Sequence, residues 1–216
     1  VPEDLDYPVC LRLAGRPVLV AGGGPVAEGR VCGLLVAKAR VTVVSPHLTP
    51  GLAGFAARGE IRHVRRTVTE SDLDGCVLAL ACTDDPDTNG AVARWARARG
   101  LWVNVADDPP NCDFTLPSVL RRGDVVVAVS TSGGSPGYAA DLRRRLEPHV
   151  DEAESQALEL IKQGRARLRE LITDQDSRFA AVNELVALGL AEVIRRDGLA
   201  AAEAKIEQAM ARWEKP

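Results

Sequence analysis

The sequence predicts an α/β fold: a parallel sheet, then a small α+β segment, then a C-terminal helical domain. Three observations predict it. Strand and helix signals alternate from residue 17 to residue 105. A glycine-rich turn in "VLVAGGGPVAEGR", residues 18–30, joins the first strand to the first helix. Strand signals stop after Asp151. Strands separated by helices pair in parallel through right-handed crossovers, since a hairpin joins only antiparallel neighbours.

Each element has its own signal. "PVLVAG" is a short β-rich run, and "AEGRVCGLLVAKA" sets Val31, Leu34 and Leu35 on one side of a helix. "RVTVVS" reads as the second strand, "TPGLAGFAARGE" as a short helix and "IRHVRR" as an alternating strand. "CVLALAC" is continuously apolar, the mark of a strand buried on both faces. Asp85 is placed as an N-cap before Pro86, and the helix runs through "AVARWARAR" to a stop at Gly100. "LWVNVA" is another buried strand. After Pro110 the pattern changes: "DFTLPSVLRRGDVVVAVST" puts two strand-like runs around Arg122-Gly123 with no helix between them, as in a hairpin. A polar loop, "STSGGSPG", and a helix near "YAADLRRRLEPHV" follow. The tail predicts three helices, "EAESQALELIKQGRARLRELI", "RFAAVNELVALGL" and "LAAAEAKIEQAMARW", packed against the rest. The expected divisions are a sheet domain over 1–112, a connecting segment over 113–150 and a helical domain over 151–216.

Composition narrows the function. The net charge is −3 and 46% of residues are apolar, so no bulk attraction to nucleic acid or to an anionic membrane is expected. No run approaches the ~20 apolar residues of a membrane helix. The opening "VPEDLDYPVC" lacks the basic-then-apolar layout of a signal peptide. The five cysteines are scattered, with no C-x-x-C pair, and there are three histidines. That speaks against a disulfide framework, a structural zinc site and a multi-histidine metal site. The reading is reduced thiols in a cytoplasmic protein.

Gly22, Gly24 and Ala27 fit G-x-G-x-x-A between a predicted strand and a predicted helix. The first glycine permits the sharp turn, the second lets backbone N–H groups approach a pyrophosphate, and the small third residue lets the helix press on the sheet. The helix N-terminus adds partial positive charge. This is the dinucleotide-binding pattern of a Rossmann-like domain. The acidic residue expected about 20 residues on for the adenosine ribose is replaced by Ser45 in "VVSPH", which leaves NAD versus NADP open. Three further segments reach the same strand ends: Thr83 and Asp84; Asn104, Asp107 and Asp108; and the loop from Ser130 to Gly137. Asp107 is the candidate base. It follows an apolar strand, where partial burial would raise its pKa. The competing reading is a turn or capping carboxylate before Pro109-Pro110. The STSGGSPG loop suits an anion, or is an ordinary capped helix start. Arg121, Arg122 and Arg143 to Arg145 suit substrate carboxylates, or form a solvated face.

The ordered segments "YPVCLRLAGRPVLVAGGGPVAEGR", "VTVVSP", "LALACTDDPDTN", "VNVADDP" and "FTLPSVLRRGDVVVAVSTSGGSP" resemble the precorrin-2 dehydrogenase/sirohydrochlorin ferrochelatase family, also found as the N-terminal part of siroheme synthase. The resemblance covers about residues 5 to 150 in family order. It implies a Rossmann-like domain, a dimerisation segment that forms a homodimer, and a helical domain. It implies NAD-dependent removal of hydrogen from precorrin-2, giving sirohydrochlorin, and in many members transient handling and insertion of Fe2+. The family's functional aspartate lies in N-V-x-D, here Asn104 to Asp107. The cofactor contacts implied are Gly22, Gly23, Gly24, Pro25, Val26, Ser45, Pro46 and His47, with Thr83 in the T-D-D pattern. The tetrapyrrole substrate is expected at Asn104, Ser130, Thr131, Ser132, Gly133 and Ser135. Thr131 stands where some members carry serine, which keeps the hydroxyl. Asp108 stands where others often carry a small residue and takes no role. A different class of reading is an NAD(H)-sensing regulatory module without catalysis.

Overall fold

The structure, a computed structural model, describes residues 6–213. The described residues form two compact units, divided between Leu116 and Pro117. In the first, five strands form one parallel sheet in the order β3-β2-β1-β4-β5. They are β1 (Pro17–Ala21), β2 (Arg40–Val44), β3 (Arg62–Val64), β4 (Leu78–Ala81) and β5 (Trp102–Val105). Helices α1 (Pro25–Val36), α2 (Pro50–Ala57) and α3 (Pro86–Ala98) make the crossovers. The chain grows from β1 outward to β3, then returns to the far side of β1 as β4. The connections after β1 and β4 therefore leave in opposite directions, which opens a crevice at their carboxyl ends.

Both faces of the sheet are covered, which is why its central strands are apolar without alternation. On one face Val18, Val20, Val41, Val43 and Leu80 pack under Ala27, Val31 and Leu34 of α1 and Leu52 of α2. On the other, Leu19, Ala21, Ala79, Ala81 and Val103 pack under Val92, Ala93 and Ala96 of α3. Leu19 and Leu80 are essentially inaccessible, so truncating either to alanine costs about 2–5 kcal/mol. Capping follows the sequence: Thr49 accepts from Leu52 N–H at 3.3 Å, and Asp85 accepts from Thr88 N–H at 3.1 Å. The exposed edge of β5 is closed by Asp113. Its N–H donates to Val103 O at 2.8 Å, and its carboxylate accepts from Val103 N–H at 3.0 Å.

β3 is shorter than the "IRHVRR" pattern suggests, only three residues long. The chain leaves the sheet because Arg66 turns away to Asp72, with two bonds of 2.7 Å each. Asp72 also accepts from the Thr69 N–H at 2.8 Å, starting a short 3-10 turn, Glu70–Leu73, that drives Leu73 into the core.

The second unit opens with an antiparallel hairpin, β6 (Ser118–Arg122) and β7 (Val125–Val129), turning at Gly123-Asp124. Helices α4 (Pro136–Leu146), α5 (Glu152–Leu171), α6 (Gln175–Ala187), α7 (Leu190–Asp197) and α8 (Leu199–Met210) follow. Leu168, Leu185, Val193, Ile206 and Met210 form their shared core. The expected three tail helices are four. α7 is a separate helix, set off by Gly189 and Gly198, both with positive φ. Its signal in the sequence is short but clear: Leu190, Val193 and Ile194 recur at helical spacing and pack into the helical core.

The Arg66 and Thr69 bonds hold the Asp72 carboxyl at about 2, against a smaller push upward from burial. A carboxyl lowered in the folded state stabilises above its unfolded value of about 3.9, and that stability is lost as pH falls toward 2. Asp72→Asn is therefore expected to destabilise the first unit by about 1 kcal/mol at pH 7. Thermal melts of the two proteins should converge as pH approaches 2.

Candidate functional site

The glycine turn is built by close packing on two sides and openness on the third. Gly22 ends β1 with φ +113°, and its N–H donates to Val44 O at 3.0 Å. A Cβ on Gly22 would lie 2.3 Å from Cys82 O, and one on Gly23 would lie 2.0 Å from His47 O. Both positions are closed to any other residue. Gly24 is the N-cap of α1, and a Cβ there would meet nothing within 4 Å. The turn is thus pressed against the ends of β2 and β4, while its third glycine faces open space at a helix N-terminus. Ala27 is completely buried, as the small third position requires. Pro25 and Val26 lie exposed on the first turn. These features fit a dinucleotide pyrophosphate.

The neighbouring predicted residues gather at the same strand ends. Ser45 is buried, with its hydroxyl 2.8 Å from the Cβ position of Gly23. Pro46 and His47 are exposed on the rim, and Thr49 N–H ties the loop to Gly23 O at 2.9 Å. Thr83 follows β4. Its hydroxyl donates to Asn89 Oδ1 at 2.8 Å, and its N–H donates to the same oxygen at 3.0 Å. Asn89 Nδ2 returns a bond to Thr83 O at 3.0 Å. Asn89 is therefore a brace for the site that the sequence reading missed. Its signal is a polar residue on the buried stripe of α3, in line with Val92, Ala93 and Ala96.

Asn104 and Asp107 stand at the end of β5 in different environments. Asn104 is 6% exposed; its Nδ2 donates to Phe114 O at 2.9 Å, while its buried Oδ1 has no partner. Asp107 is exposed, which corrects the expected partial burial: the chain turns outward after Ala106 instead of folding back over the carboxylate. The backbone at Asp107 is left-handed, with φ +57°. Non-glycine residues are uncommon there, aspartate being among those most often found, and the strain is of order 1–3 kcal/mol. Among the described residues only Lys38, Asp107 and Ser132 share this conformation without being glycine. Two of those three are predicted site residues. Asp108, not Asp107, stands at the N-cap position of the 3-10 turn Pro109–Asn111; its carboxylate makes no capping bond to the backbone and instead accepts from Asn111 Nδ2 at 2.8 Å. Among the described residues Asp107 makes no hydrogen bond or ion pair. Burial pushes the Cys82 thiol up to about 11, with Arg30 opposing and Asp107 adding to the shift. Arg30 and Asp107 thus place opposite charges around a thiol that stays protonated.

In the second unit the predicted loop spends most of its hydroxyls on its own fold. Thr131 Oγ1 accepts from Ser135 N–H at 3.0 Å, Ser130 Oγ accepts from Ser132 N–H at 3.1 Å, and Ser135 caps α4 by accepting from Tyr138 N–H at 3.2 Å. Ser132, at φ +47°, and Gly133, at φ +80°, form the tip. The arginines considered for substrate carboxylates are partly engaged: Glu147 receives Arg122 at 3.0 Å and Arg143 at 3.2 Å, and Asp141 pairs with Arg144 and Arg145. Among the described residues no group of three His, Cys, Asp or Glu side chains is arranged to hold a metal ion, and no helix is long and apolar enough to cross a membrane.

The two outer glycines separate folding from binding. Gly22→Ala should unfold or strongly destabilise the first unit. Gly24→Ala should keep the wild-type melting temperature yet weaken dinucleotide affinity by about tenfold or more, because the methyl group blocks backbone approach. Thermal melts and NADH fluorescence titrations check both.

Comparison with known proteins agrees with this geometry. Residues 9–118 match a family model described as "Putative NAD(P)-binding". The siroheme synthase of Thioalkalivibrio sulfidiphilus is 39% identical over 204 residues, covering 94% of this chain and 42% of that protein. The siroheme synthase of Methylobacillus flagellatus is 47% identical over 140 residues, covering 65% of this chain and 30% of that protein. The chain therefore spans less than half the length of these relatives. Among solved structures, SirC, a precorrin-2 dehydrogenase, superposes with a TM-score of 0.73 at 27% identity, covering 98% of this chain and 100% of SirC. The chain belongs to the family of NAD(P)-binding proteins that includes this precorrin-2 dehydrogenase and these siroheme synthases.

Proposed function

We propose that the protein is an NAD-dependent dehydrogenase that converts precorrin-2 to sirohydrochlorin in siroheme biosynthesis. The observation that carries the reading is the presence, at the carboxyl ends of one sheet, of an open glycine turn after β1 and a free carboxylate, Asp107, on left-handed backbone after β5, with β4 between them. Gly22, Gly23, Gly24, Pro25 and Val26 would hold the dinucleotide phosphates, with Ser45, Pro46, His47 and Thr83 around them. When bound, the oxidised nicotinamide accepts a hydride. The substrate must also lose a proton, and Asp107 takes it; being unpaired, the carboxylate is ready to accept without first breaking a bond. Asn104, in the same N-V-x-D segment, is proposed to contact the substrate. The loop of Ser130, Thr131, Ser132, Gly133 and Ser135 offers hydroxyl and backbone donors suited to tetrapyrrole carboxylates. NAD over NADP is the family's expectation carried into this reading; Ser45 itself does not discriminate by charge, and no arginine directly follows it in the sequence.

The same carboxylate supports a second reading, insertion of Fe2+ as substrate. Asp107 is a hard oxygen donor with a free lone pair, suited to pass the ion toward pyrrole nitrogens and accept a proton from them. The hairpin segment within 113–150 is proposed as the surface through which two chains pair, and the protein is proposed to work in the cytoplasm.

The test is anaerobic turnover with precorrin-2 and NAD, following NADH and the tetrapyrrole spectrum together. NADH formed in step with sirohydrochlorin is the expected result, with a higher kcat/KM for NAD than for NADP. Fe2+ added afterwards, against a protein-free control, reads the chelatase. Tight NADH binding without turnover would favour the sensing module instead. Asp107→Asn should lower kcat by about 100-fold with dinucleotide affinity intact; wild-type activity in that variant would remove Asp107 from the reaction.

A further inference from the structure

Among the described cysteines, Cys112 stands apart by its polar contacts. Cys82 is buried among apolar side chains, and Cys76 makes a single long contact to Asp72 O at 3.5 Å. Cys112 Sγ instead sits inside the turn that carries Asp107. It accepts from Val105 N–H at 3.2 Å and from Asn104 Nδ2 at 3.4 Å. It faces Val105 O at 3.2 Å and Asp108 O at 3.3 Å, two carbonyls that share its one hydrogen. The sulfur therefore bridges the last residue of β5, the amide of Asn104 and the residue that follows Asp107.

The far side of the turn is fixed separately. Asn111 N–H donates to Asp108 O at 3.1 Å, and Arg97 holds Asn111 at 3.3 Å and Asp113 at 3.0 Å. Asp113 on Val103 and Asn104 on Phe114 close the wider loop; the thiol is the contact that joins Val105 to Asp108, on either side of Asp107. A left-handed aspartate relaxes unless its surroundings over-determine it. Here the over-determination comes from the strand end on one side and the sulfur on the other. The residue so held points its chemistry outward, with no bond of its own to fix it.

We propose that Cys112 is a positioning residue for Asp107: its thiol latches residues 105 and 108 and so holds the Asp107 carboxylate in its reactive place at the end of β5. This rests on the reading of Asp107 as the proton acceptor. The latch needs a group that both accepts and donates, so serine replaces it in kind and an apolar residue does not.

The test compares Cys112→Ser, Cys112→Ala and Cys112→Val in the full chain, with precorrin-2 turnover for kcat and NADH titration for dinucleotide affinity. The apolar variants are expected to lose at least about tenfold in kcat with NADH affinity within about twofold of wild type, since displacing a reacting group by an ångström costs up to about 100-fold. Serine is expected to retain kcat within about threefold. Combining Cys112→Ala with Asp107→Asn should add nothing to the loss caused by Asp107→Asn alone, because a latch acts only through the group it holds. Wild-type kcat in the apolar variants, or losses that multiply in the double variant, would overturn the proposal. If the apolar variants fail to fold, serine decides: a kcat within about threefold supports the latch, and a loss beyond about tenfold at intact NADH affinity refutes it. Asp107→Asn read alone separates the two failures. Its activity tests the base, whereas a wild-type Cys112→Ala beside an inactive Asp107→Asn removes only the latch.

Discussion

The site depends on the contact between Gly22 and the backbone of Cys82. The β1–α1 turn lies so close to the end of β4 that a single methyl group would overlap the Cys82 carbonyl. That contact brings the start of α1 and the ends of the central strands to one place. Gly23 makes the same demand toward the β2 side, through His47 O. With both sides closed, the free direction is outward past Gly24, at the helix N-terminus. The backbone there offers donors and partial positive charge without a side chain in the way. An ordinary strand-to-helix turn has no need of this asymmetry among three glycines.

The second element of the site is held by different means. β5 supplies a rigid, buried base through Val103, Asn104 and Val105, and the chain then leaves the sheet at Ala106. Asp113 returns to seal the edge beside Val103, so the excursion between is a closed loop and not a frayed end. Within it, Asp108 and Asn111 bind each other, and Cys112 fills the centre. Asp107 is the residue left over by these bonds. A carboxylate that is exposed and unpaired contributes no bond of its own to the fold. It is well explained as a proton acceptor whose position is maintained by its neighbours.

Much of the first unit is legible in the sequence, because long-range burial writes directly into composition. "CVLALAC" is apolar throughout since helices cover both faces, "LWVNVA" is apolar but for Asn104, and Asp85-Pro86 and Thr49-Pro50 mark helix starts by simple capping chemistry. Contacts between distant residues are less legible. Nothing local in "TDDPDTN" reveals that Asn89 braces Thr83 from within α3. Nothing in "ADDPPNC" shows that Asp108 pairs with Asn111, or that Cys112 sits in the centre of the turn. The expectation of a buried Asp107 failed for the same reason: an apolar strand says how deep its own residues lie, and nothing about the direction of the chain beyond it. α7 was hidden by its length: two turns between two glycines are too short to stand out, although Leu190, Val193 and Ile194 recur at helical spacing.

The central claim is that the glycine turn and the β5 loop together form one dinucleotide-dependent reaction site. A crystal structure of the protein with bound NAD tests it most directly. The account predicts the pyrophosphate against the backbone of residues 22–26, with the nicotinamide ring beside the Asp107 carboxylate. A dinucleotide bound elsewhere, or bound at the glycine turn with its nicotinamide directed away from Asp107, would contradict it.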